Sequence, residues 1–243
     1  MTPPDVGAFL ALWNGISHVA LQPEYETWHT FEHVPERVGT PGFIAASRYR
    51  STQQPASYFT CYWLSSCEVL AAPQYQELLT CPTPWSARMR SELCDFVRNP
   101  CELLAAHGNS SASRLATLRL HAHTAAGAIE IAQQLQWQVD GAHLVCAHLG
   151  LSQPYDGFTV ANIVSTRSSH NMVVMLQHLD EYALREATMS LLQQIAPLAT
   201  ALAPPAYYEL LNVVRRDELK APLSARQPAR PDLFHRFNQG DKP

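Results

Sequence analysis

The sequence repeats one order of secondary-structure elements, and this repeat restricts the possible folds more than any other feature. Alternating apolar runs bounded by turn residues predict strands, and apolar residues at helical spacing predict helices. Pro23 suits a first helical turn, while Pro35 removes a backbone donor and is expected to end the same helix. In the first half the predicted elements are a strand at 7–16, a helix at 23–35, strands at 43–50 and 58–64, a helical stretch at 66–79 and a strand near 101–106.

A small, polar and unpatterned segment, residues 107–113, separates this series from a second one. Residues 38–49 can be laid over residues 139–149 by placing Gly42 on Gly141, so some sequence similarity accompanies the repeated order. The second series is predicted as strands at 114–121, 142–149, 171–179 and 207–215, with helices at 125–138 and 181–202.

Two β-α-β-β-α-β series predict an α+β fold made of two ferredoxin-like halves. Each half is an antiparallel sheet with helices on one face, and its other face needs a cover. Packing sheet against sheet within one chain provides that cover and gives an intrachain, pseudo-dimeric α/β barrel. We predict one half at residues 1–108 and the other at 113–217. A proline-rich tail of mixed charge at 218–243 is expected to be irregular.

Composition and charge exclude several classes of function. The net charge is −4, the pI is about 6.2 and no run of Lys or Arg occurs, which disfavours nucleic acid and anionic membranes as partners. No stretch of eighteen apolar residues is present and the N-terminus lacks a basic leader region, so we expect a cytoplasmic protein. The six cysteines form no C-x-x-C pair, which fits reduced thiols rather than a structural zinc site.

The helix predicted at 23–35 carries an unusual density of ionisable residues. At about 100° per residue, one side bears His29, Glu32 and His33, continued by Glu36, and the other side bears Thr27, Phe31 and Val34. The ionisable side either faces water or lines a polar pocket, and the sequence does not separate these two readings.

The motifs WHTFEHVPERVGTPGFIAASRY (28–49), YFTCYWL (58–64) and PTPW (82–85), in this order of elements, resemble the EthD-like branch of the dimeric α/β barrel superfamily. The resemblance covers residues 7–106 by motif, and the second half by pattern only. It implies a pocket between sheet and helices within one half, used for small aromatic or polyketide-like molecules. Superfamily members include isomerases, cyclases, cofactor-free monooxygenases and haem proteins, so the resemblance is informative about fold and not about reaction.

The candidate acid/base groups are His29 and His33, because imidazole both accepts and donates protons near neutral pH. Glu32 could orient either ring. Arg37 could hold a carboxylate or an enolate oxygen, or it could bridge to Glu32, Glu36 or a helix C-terminal carbonyl. Any one of these residues could also be an ordinary solvated side chain, but their clustering favours function.

The same residues, His29 to His33, fit the pattern H-x-x-E-H, in which two histidines one helical turn apart bind zinc and the glutamate activates water. A zinc site of that kind needs a third ligand and a helical protease context, which a β-α-β-β half does not provide. We therefore predict no metal site.

Further candidates for substrate binding lie on strands and among the aromatic residues. Arg48 could contact an anion or form a salt bridge at a sheet edge, since an unpaired buried arginine is costly. Tyr62 could donate its hydroxyl to a substrate oxygen or belong to the core, and Asn14 could do likewise or shape a turn. Four of the five tryptophans, among them Trp28 and Trp85, lie in the first half and suit an aromatic-lined pocket or an ordinary core.

Together these observations predict a cofactor-independent enzyme of isomerase, cyclase or lyase type that acts on a small aromatic or carbonyl-bearing acid. His29 or His33 would move a proton, and Arg37 or Arg48 with Tyr62 would stabilise an enolate-like oxygen. The alternatives are a non-catalytic small-ligand-binding protein and a haem-dependent enzyme of the same barrel class. A small molecule is the expected partner, with a homo-oligomer as a further expectation.

Overall fold

The computed structural model describes residues 5–154, 170–220 and 226–237. The first half contributes strands in the order β4-β1-β3-β2, all antiparallel. Strand β1 lies at the centre, as expected of a ferredoxin-like half. The strands are β1 (Ala8–Ile16), β2 (Phe43–Ser51), β3 (Ser57–Leu64) and β4 (Leu93–His107).

The second half repeats this arrangement in the order β9-β5-β7-β6, and a short strand, β8, pairs with the end of β5. The predicted strand at 142–149 begins and ends later, and the predicted helix at 181–202 ends at Ile195. The strands are β5 (Arg114–Ala122), β6 (Cys146–Ser152), β7 (Asn171–His178), β8 (Ala199–Ala201) and β9 (Ala206–Arg215).

Two seams join the halves into a closed antiparallel barrel. Strand β4 pairs with β6, placing Cys101 opposite Ser152, and β2 pairs with β9, placing Arg48 opposite Asn212. The predicted fold class, two ferredoxin-like halves packed as an intrachain barrel, is confirmed. The alignment of Gly42 with Gly141 is off by one residue. Gly42 has a positive φ of +85°, and the residue with a positive φ in the second half is Ala142, which follows Gly141.

Helices cover the outside of both halves. In the second half, α5 and α6 pack on the sheet, and the space beneath them is filled by buried side chains that include Leu118, Ile131 and Leu184. In the first half the packing is less complete, and the cavity described below lies there. The helices are α1 (Gln22–Trp28), α2 (Val34–Val38), α3 (Pro73–Thr80), α4 (Pro84–Ser91), α5 (Ala125–Asp140), α6 (Glu181–Ile195) and α7 (Pro231–Phe237).

The predicted end of the first helix at Pro35 was wrong. A π-helical turn, His29–His33, joins α1 to α2, and helical backbone continues to Val38. Pro35 falls at the start of α2, a position where the missing N–H is tolerated. Insertions of this kind widen a helix locally and occur often at functional sites.

The C-terminal segment was expected to be irregular, yet residues 231–237 form α7. This helix packs on the first half through Leu233, and its Phe234 and Phe237 rings lie 5.6 and 6.1 Å from the ring of Trp85. The aromatic residues of the tail therefore make it part of the folded structure.

The barrel interior is close-packed where the halves meet, and this makes Gly150 of β6 sensitive to substitution. A Cβ atom at Gly150 would overlap the ring of Phe9 on β1. We expect Gly150→Ala to lower the free energy of unfolding by about 1–3 kcal/mol, the usual cost of overpacking, as measured by urea denaturation.

Gly141→Ala is the milder comparison and should lower stability less, because φ at Gly141 is −79° and an added Cβ would lie 3.0 Å from the His143 ring and 3.1 Å from the Trp137 carbonyl oxygen. Adding Phe9→Leu to the Gly150→Ala variant should restore part of the loss, since it removes the overlapping ring atoms of Phe9 and leaves the overlap with Cys101 Cβ at 2.6 Å. If Gly150→Ala were as stable as the parent, the contact between the halves would be looser than the structure shows.

Candidate functional site

A cavity of about 960 Å³ opens between the first-half helices and the sheet. Residues of α1, the π-helical turn, α2, α3 and α4 line one side, and residues of β1 and β4 line the other. Thr117, Arg119 and Tyr208 extend it to the second-half strands β5 and β9. The cavity thus extends beyond the one half to which the resemblance assigned it, because the barrel closes β9 and β5 around the same end of the sheet.

The ionisable side of the first helix faces inward. His29 is 4% exposed and His33 is 8% exposed, and both line the cavity, whereas Phe31 on the predicted apolar side is 53% exposed. The reading in which these histidines face water is therefore wrong. The helical wheel at 100° per residue placed Phe31 and Val34 on one side, yet Val34 is buried, because the π-helical turn changes the angular spacing of the side chains.

The two imidazoles belong to an aromatic stack along the cavity wall. The His29 ring lies 5.1 Å from the Tyr25 ring and 4.9 Å from the His33 ring, and the Trp28 ring lies 4.1 Å from that of His33. The Nδ1 atoms of both histidines are buried and have no hydrogen-bond partner among the described residues. Their ring faces are thus fixed by stacking, while their polar atoms are left available.

Both histidines are held neutral. Burial lowers the pKa of His29 well below 6.5, and the positive charges of Arg48 and Arg37 lower it further. Burial is also the largest cause of the low pKa of His33, followed by Arg37. A neutral imidazole at neutral pH is able to accept a proton or to ligate a metal.

Glu32 does not orient either imidazole. Its Oε1 accepts a hydrogen bond from Thr83 at 2.5 Å, and its Oε2 accepts one from the backbone N–H of Arg230 at 2.6 Å. Glu36 likewise accepts from Arg226 of the C-terminal segment at 2.6 Å. These two buried carboxylates fasten residues 226–237 to the back of the helix that carries the histidines.

Arg37 lines the cavity and is 5% exposed. Its Nη1 donates to the carbonyl oxygen of His33 at 3.1 Å and lies 3.4 Å from Glu36 Oε2. The bridge to Glu36 expected from the sequence is present. Glu36 is shared with Arg226, and Arg37 reaches the cavity one helical turn beyond His33.

Arg48 and Tyr62 are buried behind the cavity wall and do not line the cavity. Arg48 lies on β2, which pairs on both sides, so the predicted salt bridge at a sheet edge is wrong. Its guanidinium donates to the hydroxyl of Thr30 and, at 3.3 Å, to Asn212. Tyr62 packs beside Phe43 in the helix-facing core, and burial raises its pKa. After burial, the positive charge of Arg48 is the next largest cause of the lowered pKa of His29.

Of the three remaining residues predicted to bind substrate, two line the cavity and one packs behind its wall. Trp28 and Asn14 line the cavity, and Asn14 accepts a hydrogen bond from the Tyr25 hydroxyl at 3.2 Å. Trp85 does not line it, since its ring is covered by α7 and its Nε1 donates to Glu24 at 3.1 Å.

Sequence reasoning missed Tyr25, Tyr75, Arg90 and Arg98, which all line the cavity. Tyr75 and Arg90 lie in helices α3 and α4, and Arg98 lies within a strand that was predicted to begin only near residue 101. The available signal was an arginine preceded by two apolar residues, Phe96 and Val97, of the kind that drew attention to Arg48.

In the described part of the chain, no three His, Cys, Asp or Glu side chains come together as a metal site would require. The H-x-x-E-H pattern is met in letters, but Glu32 has both carboxylate oxygens engaged elsewhere. Among the helices described, none is long and apolar enough to cross a bilayer.

Solved structures with this fold share little sequence with the chain. A proposed monooxygenase from Fusobacterium nucleatum subsp. nucleatum has a TM-score of 0.57 at 8% identity, over 86% of this chain and 95% of its own. An anthrone oxidase-like protein has a TM-score of 0.58 at 8% identity, with coverages of 87% and 94%. A haem-binding protein from Thermus thermophilus has a TM-score of 0.51 at 9% identity, with coverages of 90% and 96%.

The chain therefore has the fold of the dimeric α/β barrel proteins, with both halves of the barrel on one polypeptide. At these identities the similarity defines the fold and leaves the activity open. No protein-family model matches the sequence, and no curated protein is detectably similar to it.

Proposed function

We propose that this protein is a small-molecule enzyme of the EthD-like branch that moves a proton next to a carbonyl group. Its substrate would be a small aromatic or carbonyl-bearing acid, and its reaction an isomerisation, cyclisation or elimination. The observation that carries the proposal is the pair of neutral, buried imidazoles, His29 and His33, in a cavity that also presents arginine side chains. Such a site can accept a proton and stabilise the anion that remains.

In the proposed step, His29 or His33 takes a proton from the carbon beside the substrate carbonyl, and the electron pair moves onto the carbonyl oxygen. Arg37 stabilises the resulting enolate. The imidazolium then returns the proton to another atom, or a leaving group departs. The half-buried rings of Trp13 and Phe96, which line the cavity, would pack against an aromatic substrate.

The arginines also adjust the strength of the base. In the free protein the charges of Arg37 and Arg48 lower the pKa of His29. A bound anion opposes those charges, so it raises the imidazole pKa and makes the ring a better proton acceptor when substrate is present. Arg48 acts in this scheme as a positioning residue, because it does not line the cavity.

An enolate is also an electron donor, so the same first step is compatible with a reaction with dioxygen. The names of two similar structures, a proposed monooxygenase and an anthrone oxidase-like protein, favour testing this variant. Consumption of dioxygen during turnover, measured with an oxygen electrode, would show that the enzyme catalyses this oxygen-dependent variant of the reaction.

Haem binding is a second candidate. One similar structure is described as a haem-binding protein, and a neutral imidazole is a common axial ligand of haem iron. His29 or His33 would supply that ligand, and the cavity arginines would pair with the propionates. Haem would supply redox chemistry at iron. A Soret band in protein purified from its own host, lost in a His29 or His33 variant, would favour this candidate over the cofactor-independent one.

A proton-transfer enzyme and a non-catalytic binding protein differ in what they do to their ligand. We expect the protein, mixed with a candidate aromatic ketone or keto acid in D₂O, to exchange the hydrogen next to the carbonyl, seen as loss of its ¹H NMR signal. A binding protein would leave that signal intact while still shifting ligand resonances. Bound ligands that show no exchange and no conversion would contradict the proposal.

A further inference from the structure

Three arginines and a tyrosine meet at one end of the cavity, and they come from four different elements. Arg37 lies on α2, Tyr75 on α3, Arg90 on α4 and Arg98 on β4, and all four residues line the cavity. The Nη2 atom of Arg98 donates to the Tyr75 hydroxyl at 3.1 Å, and its guanidinium carbon lies 5.8 Å from the Tyr75 ring centre. Convergence from four elements indicates a built group of side chains rather than the polar face of one helix.

Arg90 has no acidic partner at this end of the cavity among the described residues. Its guanidinium donates to the carbonyl oxygens of Leu79 at 2.8 Å and Leu78 at 2.7 Å, and none of the described carboxylates lies within salt-bridge distance of it. Of the described residues that line the cavity, Arg37, Arg90, Arg98 and Arg119 are basic and Asp95 is acidic. A half-buried guanidinium without an acidic partner is costly, and an anionic ligand would offset that cost.

The ionisation of the tyrosine reports the same excess of positive charge. Tyr75 is 3% exposed, and burial alone would raise its pKa. The charges of Arg98, Arg37 and Arg90 outweigh burial, so the pKa of Tyr75 lies below its usual value. Burial and the neighbouring Arg37 lower the pKa of Arg90 to about 10, which is the response of a cation placed beside other cations.

We propose that Arg90, Arg98 and Tyr75 form a carboxylate-binding subsite that holds the acid group of the substrate, while Arg37 and the two histidines act on its carbonyl end. The guanidinium forks of arginine match the planar geometry of a carboxylate, and the tyrosine hydroxyl provides a further donor. The three subsite residues come from α3, α4 and β4, whereas the histidines lie on the first helix. This inference rests on the proposed function for the reacting end of the substrate.

The substrate class follows from this arrangement. A ligand must carry a carboxylate at one end, an aromatic or conjugated body that packs on the half-buried rings of Trp13 and Phe96, and a carbonyl several bonds from the carboxylate. A neutral ketone of the same shape would lack the first of these interactions. Specificity would thus depend on the acid group, and reactivity on the carbonyl.

The test compares two ligands of one shape, 2-naphthoate and 2-naphthamide, by isothermal titration with the full chain. We expect the parent protein to bind the acid more tightly than the amide. Arg98→Met retains the apolar stem of the side chain and should weaken naphthoate binding about 10- to 100-fold, the effect of losing one charge-assisted hydrogen bond, while leaving the amide unchanged. Tyr75→Phe should reduce naphthoate affinity by a smaller factor in the same direction.

Arg215→Met is the matched control, because Arg215 is exposed and paired with Glu218 away from the cavity. This variant should bind naphthoate as the parent does. Equal affinity of the parent for acid and amide, no naphthoate binding at millimolar concentration, or equal weakening of both ligands in Arg98→Met would overturn the carboxylate subsite. Failure of the proposed function would look different, because ligands would then bind without hydrogen exchange.

Discussion

Acidification from pH 7 to pH 5.5 is expected to lower the free energy of unfolding by about 4 kcal/mol. Three histidines contribute, namely His29, His33 and His148, and burial is the largest cause of the lowered pKa in each. The pKa of His148 is about 4, and the other two lie well below 6.5. In the unfolded chain an imidazole titrates near 6.5.

The direction of the effect follows from proton uptake. Below pH 6.5 the unfolded chain binds a proton on each of these imidazoles, whereas the folded protein does not, so stability falls as pH falls through 6.5 and continues to fall until the folded pKa is reached. Each pH unit costs about 1.4 kcal/mol per group, and three groups give about 4 kcal/mol at pH 5.5.

Urea unfolding at several pH values between 7 and 5.5 measures this slope. Replacement of His148 by Gln should reduce the slope by about a third, and replacement of the exposed His18 by Gln should leave it unchanged. A stability that does not depend on pH over this range would mean that these imidazoles take up protons in the folded protein as they do in the unfolded chain. The neutral base assigned to the cavity would then be wrong.

Replacement of the catalytic histidine is expected to lower kcat by about 10²- to 10⁴-fold on an identified substrate, the usual contribution of a general base. His29→Gln and His33→Gln should be compared singly, since only one ring needs to reach the reacting carbon. His148→Gln is the matched control, because His148 is also buried and lies outside the cavity, 4.9 Å from the Trp63 ring.

The pH dependence of kcat and kcat/KM distinguishes a catalytic histidine from one that only supports the structure. The acid limb of kcat/KM reports the free protein and should lie below pH 6.5, because burial and arginine charge lower both imidazole pKa values. The acid limb of kcat reports the complex and should lie at higher pH, because the bound anion offsets those charges. Full turnover in both single variants and in the double variant would exclude either histidine as the base.

The fold was largely predictable from the sequence, and the orientation of the site was not. Strand patterns such as residues 43–50 and 58–64 depend on side-chain alternation and turn residues, which are local properties. The sequence left open whether His29 faces inward, and nothing in the local pattern marks the π-helical turn that joins α1 to α2. The inward side carries more charge than a helix face against a core is expected to carry, so the pattern alone did not separate a pocket-lining face from a solvated one.

The partners of Glu32 and Glu36 were unpredictable for a different reason. Both carboxylates bind residues almost two hundred positions later in the chain, Arg230 and Arg226. Composition marked that segment as irregular, because prolines and mixed charge dominate it. Its ordering depends on three aromatic and aliphatic side chains and on buried acids far away in sequence, and single-sequence patterns do not register such pairs.

The filled space under α5 and α6 has a consequence for stoichiometry. When a barrel of this kind is assembled from two identical subunits, symmetry gives both helix layers the same residues and therefore the same site. Here one polypeptide encodes both layers, so leucine and isoleucine side chains fill the described space beneath α5 and α6, while the first layer retains the cavity that carries the histidines. Within the residues described, each 27.1 kDa chain therefore has the histidine cavity once per complete barrel, half the number of an equivalent homodimer. Substitutions in the helix layer that holds the cavity therefore leave the residues of the other helix layer unchanged, which symmetry forbids in a homodimer.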